Sequence, residues 1–421
     1  MEGASLAEFG WTYLSRVALA KAQAQLADES KGVRDEIGFL LIHQHYADRF
    51  FPGTSVLHTR LRYAMFIPWQ FMDLQKARRA SSPEQLLQNK EGELCSRLTK
   101  LQGQRGIIGK RSQGKVLAQP PSMIYWNALA TWGILRRQNG KVPSRRRIAR
   151  LMSEAQDSSR ALEGELLEDP EAPPFDSLPA PAPDFLEGGP LSFALTPDEK
   201  EYLGARLREL RLNHGGLPLL ARLAMKLQTS HQRLPEFLLA ANCWDEAVRR
   251  VASDDEAELL VHAGQLAAMA AIGRGVYAAL VEEMREEDGL SVTRLHRDAL
   301  EDAKAKHGKQ ARRIDVDLLV SEAPTIPIET IEVLTKTKAW LDDGSVSISG
   351  LRETYGRAEY QRKHERARLC QTPNGRDRRA DWVLEKKVDE AGQESVQTDP
   401  LHFRWSQVNQ LLRDLAGAAD G

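Results

Sequence analysis

The stretch DDEAELLVHAGQLAAMAAIGRGVYAALVEEMREE, from Asp254 to Glu287, indicates the fold class of this chain. Its apolar residues recur at helical spacing, which predicts one long helix with a buried face. The residues expected on that face are Leu259, Leu266, Met269, Val276 and Leu280. The alternation typical of strands is scarce, and its clearest example, Ser345 to Ser349, could equally be a turn. The sequence therefore predicts a mainly α protein.

Size and composition are those of an ordinary globular chain. With 421 residues, 42% of them hydrophobic and 28% charged, it is long enough for two or three domains. No apolar run approaches the roughly 18 residues of a membrane span, and the start lacks a signal-peptide pattern. The cysteines Cys95, Cys243 and Cys370 lack zinc-ligand spacing. We expect a cytoplasmic protein without membrane contact, structural metal or cofactor.

Several helix boundaries are marked by capping residues. An amphipathic helix is expected from Asp35 to Phe50, and another from Ala7 to Asp28. Ser82 and Thr196 are each followed by proline and an early acidic residue, a pattern typical of helix starts. The helix after Thr196 is expected to end at Gly215.

Positive charge is concentrated in one block of the sequence. Residues 94–153 contain thirteen lysines and arginines and no acidic residue. Because the whole chain sums to −1, the remaining residues carry −14 (−1 minus 13). Clustered cations attract phosphate backbones, so this block predicts a nucleic-acid-binding region.

The first part of the block, residues 101–115, combines four glycines with four cations. Glycine allows backbone amides to approach phosphates closely, and the cations supply the field. The spacing is not that of a Walker loop. A glycine-rich surface turn is the alternative interpretation.

The second part of the block reads as a pair of helices. One begins at Pro121, a short link passes through Asn139 and Gly140, and a second helix begins at Arg145 after a cap at Ser144. Two short helices joined by a glycine turn, with cations at the start of the second, suggest a helix-turn-helix-like module. An acidic protein partner or a solvated face would account for the same charges. The cations expected to contact phosphates are Lys110, Arg111, Arg136, Arg137, Arg145, Arg146, Arg147 and Arg150.

An acidic, proline-rich segment follows the basic block. Residues 154–201 hold thirteen acidic residues, and residues 170–197 hold eight of the twenty prolines. Proline removes amide donors and fixes φ, which favours an extended connector. Its acidic residues could fold back over the basic block. Its apolar residues should lie along a surface, and they are Phe175, Leu178, Phe185 and Phe193. The predicted domains are 1–92 (N-terminal helical region), 93–160 (basic module), 161–200 (connector) and 201–421 (C-terminal helical domain).

Two arginine-containing segments allow both a binding and a structural interpretation. Arg60 and Arg62 could bind a phosphate or carboxylate, or pair with Asp35 and Glu36 inside the fold. The basic run at residues 352–379 has the spacing of a solvated helix face, although it could extend a binding surface. The cations that define this face are Arg362, Lys363 and Arg366.

Catalytic and metal signals are weak. His43 and His45 would point about 200° apart on a helix, so they cannot readily share one ion. Asp315-Val-Asp317 and Glu385-Lys-Lys387 suggest a nuclease, but they lie far apart in the sequence and outside a convincing buried strand. No catalytic residue is predicted, and an accessory role is favoured over an enzyme; a cryptic nuclease, with Glu385 and Lys387 as the first residues to test, is the third interpretation.

Several short segments together resemble a bacterial family known only as a domain of unknown function. These segments are Phe9-Gly10-Trp11, Arg34-Asp-Glu36, Phe51-Pro-Gly-Thr-Ser55, Thr59-Arg60, Arg62-Tyr63, Pro68-Trp69, Gly106-Ile-Ile-Gly109, Pro121-Ser122, Tyr125-Trp126, Trp132-Gly133, Leu195-Thr196, Arg404-Trp405, Leu411 and Asp414. The chain departs from the family at His43-Gln44, where relatives more often carry Arg-Asp.

The resemblance implies a role beside helicases and phospholipase-D-like nucleases in bacterial antiviral defence, and it supplies no catalytic residue. Together with the basic block, it leads us to expect a nucleic-acid-binding accessory or recognition subunit, with DNA as partner. A scaffold that docks a helicase or nuclease without touching nucleic acid is the alternative.

Overall fold

A computed structural model describes residues 35–74, 82–112, 117–161, 173–229, 234–344, 347–382, 386–388, 394–396 and 398–418. The described chain is mainly α, as predicted. The helices of its first half are α1 (Phe39–Phe50), α2 (Tyr63–Asp73), α3 (Pro83–Thr99), α4 (Pro121–Thr131), α5 (Arg145–Ala161), α6 (Pro183–Leu186), α7 (Pro197–Arg208) and α8 (Leu219–Gln228).

The second half continues with eight described helices and one hairpin. The helices are α9 (Glu246–Arg249), α10 (Asp254–Glu287), α11 (Leu295–Ala311), α12 (Val316–Glu322), α13 (Ile328–Asp343), α14 (Arg352–Lys363), α15 (Pro373–Ala380) and α16 (Trp405–Ala416). Strands β1 (Lys386–Val388) and β2 (Glu394–Val396) pair antiparallel, with Lys387 opposite Ser395. The expected alternation at residues 345–349 does not form a described strand, because Ile348–Leu351 is a 3₁₀ turn.

Helix α10 forms the centre of the C-terminal half. All five residues predicted to face inward are buried, so the long helix and its buried face are confirmed. By length and composition, α10 is the one described helix that could cross a membrane, but 83% of its apolar window is buried inside the protein. Neighbouring helices, chiefly α11, cover it and make it a core element.

The predicted capping residues agree with the structure, whereas one predicted helix end does not. Ser82 accepts a hydrogen bond from the amide of Gln85, and Thr196 and Glu199 form a reciprocal capping box. Helix α1 begins at Phe39, after a turn in which Asp35 accepts from the amide of Leu40. Helix α7 stops at Arg208 instead of continuing to Gly215, because residues 212–216 close a separate turn. The expected helix from Ala7 to Asp28 lies outside the described residues.

The connector packs along the N-terminal helices, as predicted from its apolar residues. Phe175, Phe185 and Phe193 are buried. The ring of Phe185 lies 5.1 Å from that of Trp69, whose indole N–H donates to the carbonyl of Pro179 (3.1 Å). The proline-rich chain is therefore held by side chains that enter the core and by its backbone carbonyls.

Two buried arginines join sequence-distant parts of the fold. Arg60 forms a paired contact with Asp414, with N–O distances of 2.9 to 3.1 Å. Arg62 binds Glu199 (2.9 Å) and Asp184 (2.7 Å). The structural role of both arginines is therefore confirmed.

The expected partners of these arginines were wrong, because the second basic run supplies cations to the acids near the N-terminus. Asp35 pairs with Arg362, and Glu36 pairs with Lys363 (2.9 Å) and with Arg368 (3.4 Å). Arg362 and Lys363 thus anchor α14 to the start of α1 instead of forming a purely solvated face. Arg366 remains exposed.

Candidate nucleic-acid interface

Helix α5 carries four of the eight predicted phosphate contacts. Ser144 caps the helix by accepting a hydrogen bond from the amide of Arg147 (3.2 Å). Ile148, Ala149 and Met152 are buried and pack this side of the helix onto the core. The helix is therefore fixed in orientation, and its other side is available to solvent.

Arg145, the first residue of α5, points inward. Its guanidinium donates to the hydroxyl of Ser122 (2.8 Å), and the amide of Ser122 donates to Glu91 (3.1 Å). Burial lowers the pKa of Arg145 and raises the pKa of the Glu91 carboxyl. Of the predicted cations, Arg145 is thus the one that locks α5 against α4 and α3.

The next cations on α5 reach outward. Arg146 and Arg150 share a single carboxylate, that of Glu84 at the start of α3, at 3.2 and 3.5 Å. Their side chains are nevertheless 70% and 58% exposed, and Arg147 is exposed as well. Exposed pairs of this kind contribute about 0–1 kcal/mol, so they compete weakly with a phosphate.

The connector covers one end of the basic block. Arg136 forms an ion pair with Asp176 (2.6 Å), which also binds Arg206 (3.0 Å). The backbone of the same segment pairs with residues 134–136. The expected folding-back of acidic residues is therefore present at Arg136, whereas Arg137 is exposed and without a side-chain partner among the described residues.

A β-hairpin separates α4 from α5. Gln138 and Lys141 exchange two backbone hydrogen bonds (2.9 and 3.0 Å), and the turn residues Asn139 and Gly140 have positive φ. Positive φ at both central residues is the two-residue type I′ geometry that Asn-Gly favours. The link spans residues 132–144, much longer than the three or four residues of a helix-turn-helix turn. The helix pair is present, but the structure does not show a helix-turn-helix unit.

The glycine-rich loop lies apart from α5. The Gln104 side chain donates to the carbonyls of Leu98 and Leu191, which ties the loop to the C-terminal end of α3. Lys110 and Arg111 follow in a short 3₁₀ turn and are exposed. Glu84, the partner of Arg146 and Arg150, lies in the first turn of α3. Along a helix, residues 84 and 98 are about 21 Å apart, so the loop is anchored far along α3 from the contact with α5.

His43, the first residue of the histidine pair, packs among other rings. His43 is buried and lies 4.9 Å from His402 and 5.7 Å from Phe403 between ring centroids. Burial and the nearby charges of His402, Arg404 and Arg274 lower the pKa of His43 to about 3. Within the described ranges, no group of three or more potential ligands could hold a metal ion.

The weak nuclease signals do not form a described site. Asp315 caps α12 by accepting from the amide of Leu318 (3.0 Å), as its place at a helix start requires. Lys387 lies in β1, and Glu385 lies outside the described residues.

Segments that carry the family resemblance meet in the folded chain. The Thr59 hydroxyl donates to the carbonyl of Gly106 (2.7 Å), and the Tyr125 hydroxyl donates to the carbonyl of Arg60 (2.8 Å). Farther along, the Trp132 indole N–H donates to the carbonyl of Pro52 (3.1 Å). These segments thus contact one another inside the fold.

The chain is thus a mainly α protein with exposed basic residues on its surface and buried ion pairs at Arg60 and Arg62. Residues 18–317 match the family described as "Family of unknown function (DUF6361)", which covers well over half of the 421 residues. The chain belongs to this family. Comparisons with curated proteins and with solved structures found no match.

Proposed function

We propose that the chain is a nucleic-acid-binding accessory or recognition subunit that contacts DNA mainly through its phosphates. The observation that carries the proposal is a set of exposed cations on consecutive elements, which we call the cationic edge. It consists of Arg137, Lys141, Arg146, Arg147 and Arg150. Residues 136–150 contain no acidic residue, and Glu84 contacts the edge at Arg146 and Arg150.

Electrostatics make this surface suited to a polyanion. Each phosphate that a cation neutralises releases counterions, with a slope of about −0.9 per contact in log K against log salt. Five contacts correspond to a slope of about −4.5, which is a loss of several hundredfold in affinity between 50 and 200 mM salt. A solvated face without a partner would show no such dependence.

The test is a salt titration of fluorescent duplex DNA binding by the wild-type chain and by Arg137→Gln/Arg146→Gln/Arg147→Gln. Arg145 is left intact because its loss would disturb the packing of α5. The matched control removes three exposed cations near the end of α11: Lys306→Gln/Lys309→Gln/Arg313→Gln. We expect a steep salt dependence that flattens in the first variant only. An affinity that is flat with salt in the wild type would contradict the proposal.

The alternative is a scaffold that docks a helicase or nuclease without touching nucleic acid. Leu234, just before a 3₁₀ turn, and Leu239, the last residue of that turn (Glu236–Leu239), favour it, because they are 51% and 78% exposed. Exposed apolar side chains close together suit a protein partner. A purified chain that binds no duplex at low salt, yet is retained by such a partner, would favour the scaffold. The assignment to antiviral defence rests on the family resemblance.

A further inference from the structure

The hairpin within the cationic edge has a geometry suited to a groove of DNA. Its tip consists of two small residues, Asn139 and Gly140, both exposed. A side chain added at Gly140 would meet nothing within 4 Å, so the tip faces open space. The paired backbones of Gln138 and Lys141 fix the tip as a narrow, two-residue turn.

Cations flank this tip on both sides. Arg137 precedes the paired residues and Lys141 is one of them, and both side chains are exposed and unpaired among the described residues. Arg136, one residue earlier, is instead held by Asp176. The exposed positive charge of the cationic edge therefore begins at the hairpin.

The hairpin is held rigidly relative to α5. The Trp126 indole N–H donates to the carbonyl of Pro143 (2.7 Å), and Arg145 is bound to Ser122 (2.8 Å). Both contacts anchor the short link to α4. Arg146 lies five positions after Lys141, so their Cα atoms are at most about 18 Å apart. This is about half of one duplex turn, which measures roughly 34–36 Å.

From this arrangement we infer that the hairpin at Gln138–Lys141 enters the minor groove of duplex DNA while the start of α5 holds the adjacent phosphates. The minor groove is about 6 Å wide, which suits an Asn-Gly tip, and narrow A·T-rich grooves attract inserted arginine by their negative potential. The major groove, about 12 Å wide, would accept a longer two-stranded ribbon than this single pair of residues. The inference rests on the proposed function and specifies its ligand as A·T-rich duplex.

The test compares two variants that each remove two charges. Arg137→Gln/Lys141→Gln alters the hairpin, and Arg146→Gln/Arg147→Gln alters α5. Binding is measured by fluorescence anisotropy with A-tract and G·C-rich duplexes, with netropsin as minor-groove competitor and methyl green as major-groove competitor. Circular dichroism and the melting temperature confirm that both variants are folded.

We expect the wild type to prefer the A-tract duplex and to lose about tenfold or more in affinity with saturating netropsin but not with methyl green. The hairpin variant should lose both the preference and the netropsin effect, whereas the α5 variant should bind more weakly and keep both. A wild-type affinity for duplex DNA that netropsin does not change would overturn the minor-groove inference but would not contradict the proposed function. No wild-type binding to any duplex at low salt would overturn both.

Discussion

Two arginine-containing segments of this chain, each at the start of a helix, differ in the exposure of their arginines. In the first, Thr59 to Tyr63, Arg60 and Arg62 are 7% and 1% exposed. In the second, at the start of α5, the side chains of Arg146 and Arg150 are 70% and 58% exposed. The first segment holds the fold together, and the second is available to a partner.

The difference comes from acids that lie elsewhere in the sequence. Arg60 meets Asp414, 354 positions along the chain, and Arg62 meets Glu199, 137 positions along. Arg146 and Arg150 of α5 share one partly exposed carboxylate, Glu84. An arginine's role is therefore set by the number and burial of the carboxylates that the fold brings to it.

The largest expected effect comes from removing a buried arginine. Arg62→Ala leaves Glu199 buried without its cation and removes the contact of the guanidinium with the Phe66 ring (5.0 Å). Breaking a buried pair in this way costs about 3–5 kcal/mol. Urea unfolding of the wild type and the variant measures the loss. The control, Arg146→Ala on the exposed face, should change stability by about 0.5 kcal/mol or less. Equal losses in the two variants would remove the distinction between the segments.

A second prediction concerns pH and the buried segment. His58 precedes the first arginine segment and stacks on Tyr125 at 4.2 Å, and burial lowers its pKa to about 3. In the unfolded chain it takes up a proton near pH 6.5. The stability that depends on neutral His58 is therefore fully present above pH 6.5 and is lost as the pH falls towards 3.

Between pH 7 and pH 5 this loss amounts to about 2 kcal/mol, since one pKa unit corresponds to about 1.36 kcal/mol. Urea unfolding at both pH values, for the wild type and for His58→Gln, isolates the contribution. The difference in the free energy of unfolding between pH 7 and pH 5 should be smaller by about 2 kcal/mol in the variant. An unchanged difference would show that His58 titrates equally in the folded and unfolded chains.

Local patterns predicted the fold class and the helix starts because their causes are local. A capping box such as that of Thr196 and Glu199 involves residues three positions apart, and the apolar face of α10 follows from helical spacing alone. The end of α7 was predicted too late, because the turn at 212–216 that replaces its last residues is closed by two backbone hydrogen bonds, from the amide of Leu212 to the carbonyl of Gly216 and from the amide of Gly215 to the carbonyl of Leu212.

The candidate site was only partly readable from the sequence. The cations were identifiable because the block lacks acids, and Asn139-Gly140 is a strong hairpin signal that could have revealed the hairpin and its flanking Lys141. The inward turn of Arg145 could not be read, since it depends on Ser122 and Glu91 arriving from two other helices. The pairing of Arg136 with Asp176 likewise depends on how the connector packs.

A third prediction compares neighbours within α5. Arg145→Ala removes the hydrogen bond to Ser122 and the nearby cation that favours the charged form of Glu91, so we expect a loss of about 1–3 kcal/mol. Arg146→Ala, one residue later, should change stability by about 0.5 kcal/mol or less. Urea unfolding of the two variants checks this, and a larger loss for Arg146→Ala would reverse the assignment of the inward and outward positions.

A fourth prediction combines a small change in stability with a gain in binding, and it concerns Glu84→Gln. The substitution keeps the size and the hydrogen-bonding capacity of the side chain but removes the carboxylate that Arg146 and Arg150 share. Because both pairs are exposed, stability should fall by about 1 kcal/mol or less. Duplex affinity at 100 mM salt should rise a few-fold, since a bound phosphate would no longer compete with Glu84 and repulsion of the polyanion would decrease.

The matched control for this gain is Glu332→Gln, which removes a comparably exposed carboxylate paired with Arg357 on α14. It should leave duplex affinity nearly unchanged, because that pair lies outside the basic block. Equal gains in both variants would mean that overall net charge, and not the cationic edge, governs binding. An effect confined to Glu84→Gln would show that a single carboxylate limits what the exposed arginines can bind, whereas the carboxylates of Glu199 and Asp414 commit Arg62 and Arg60 to the fold.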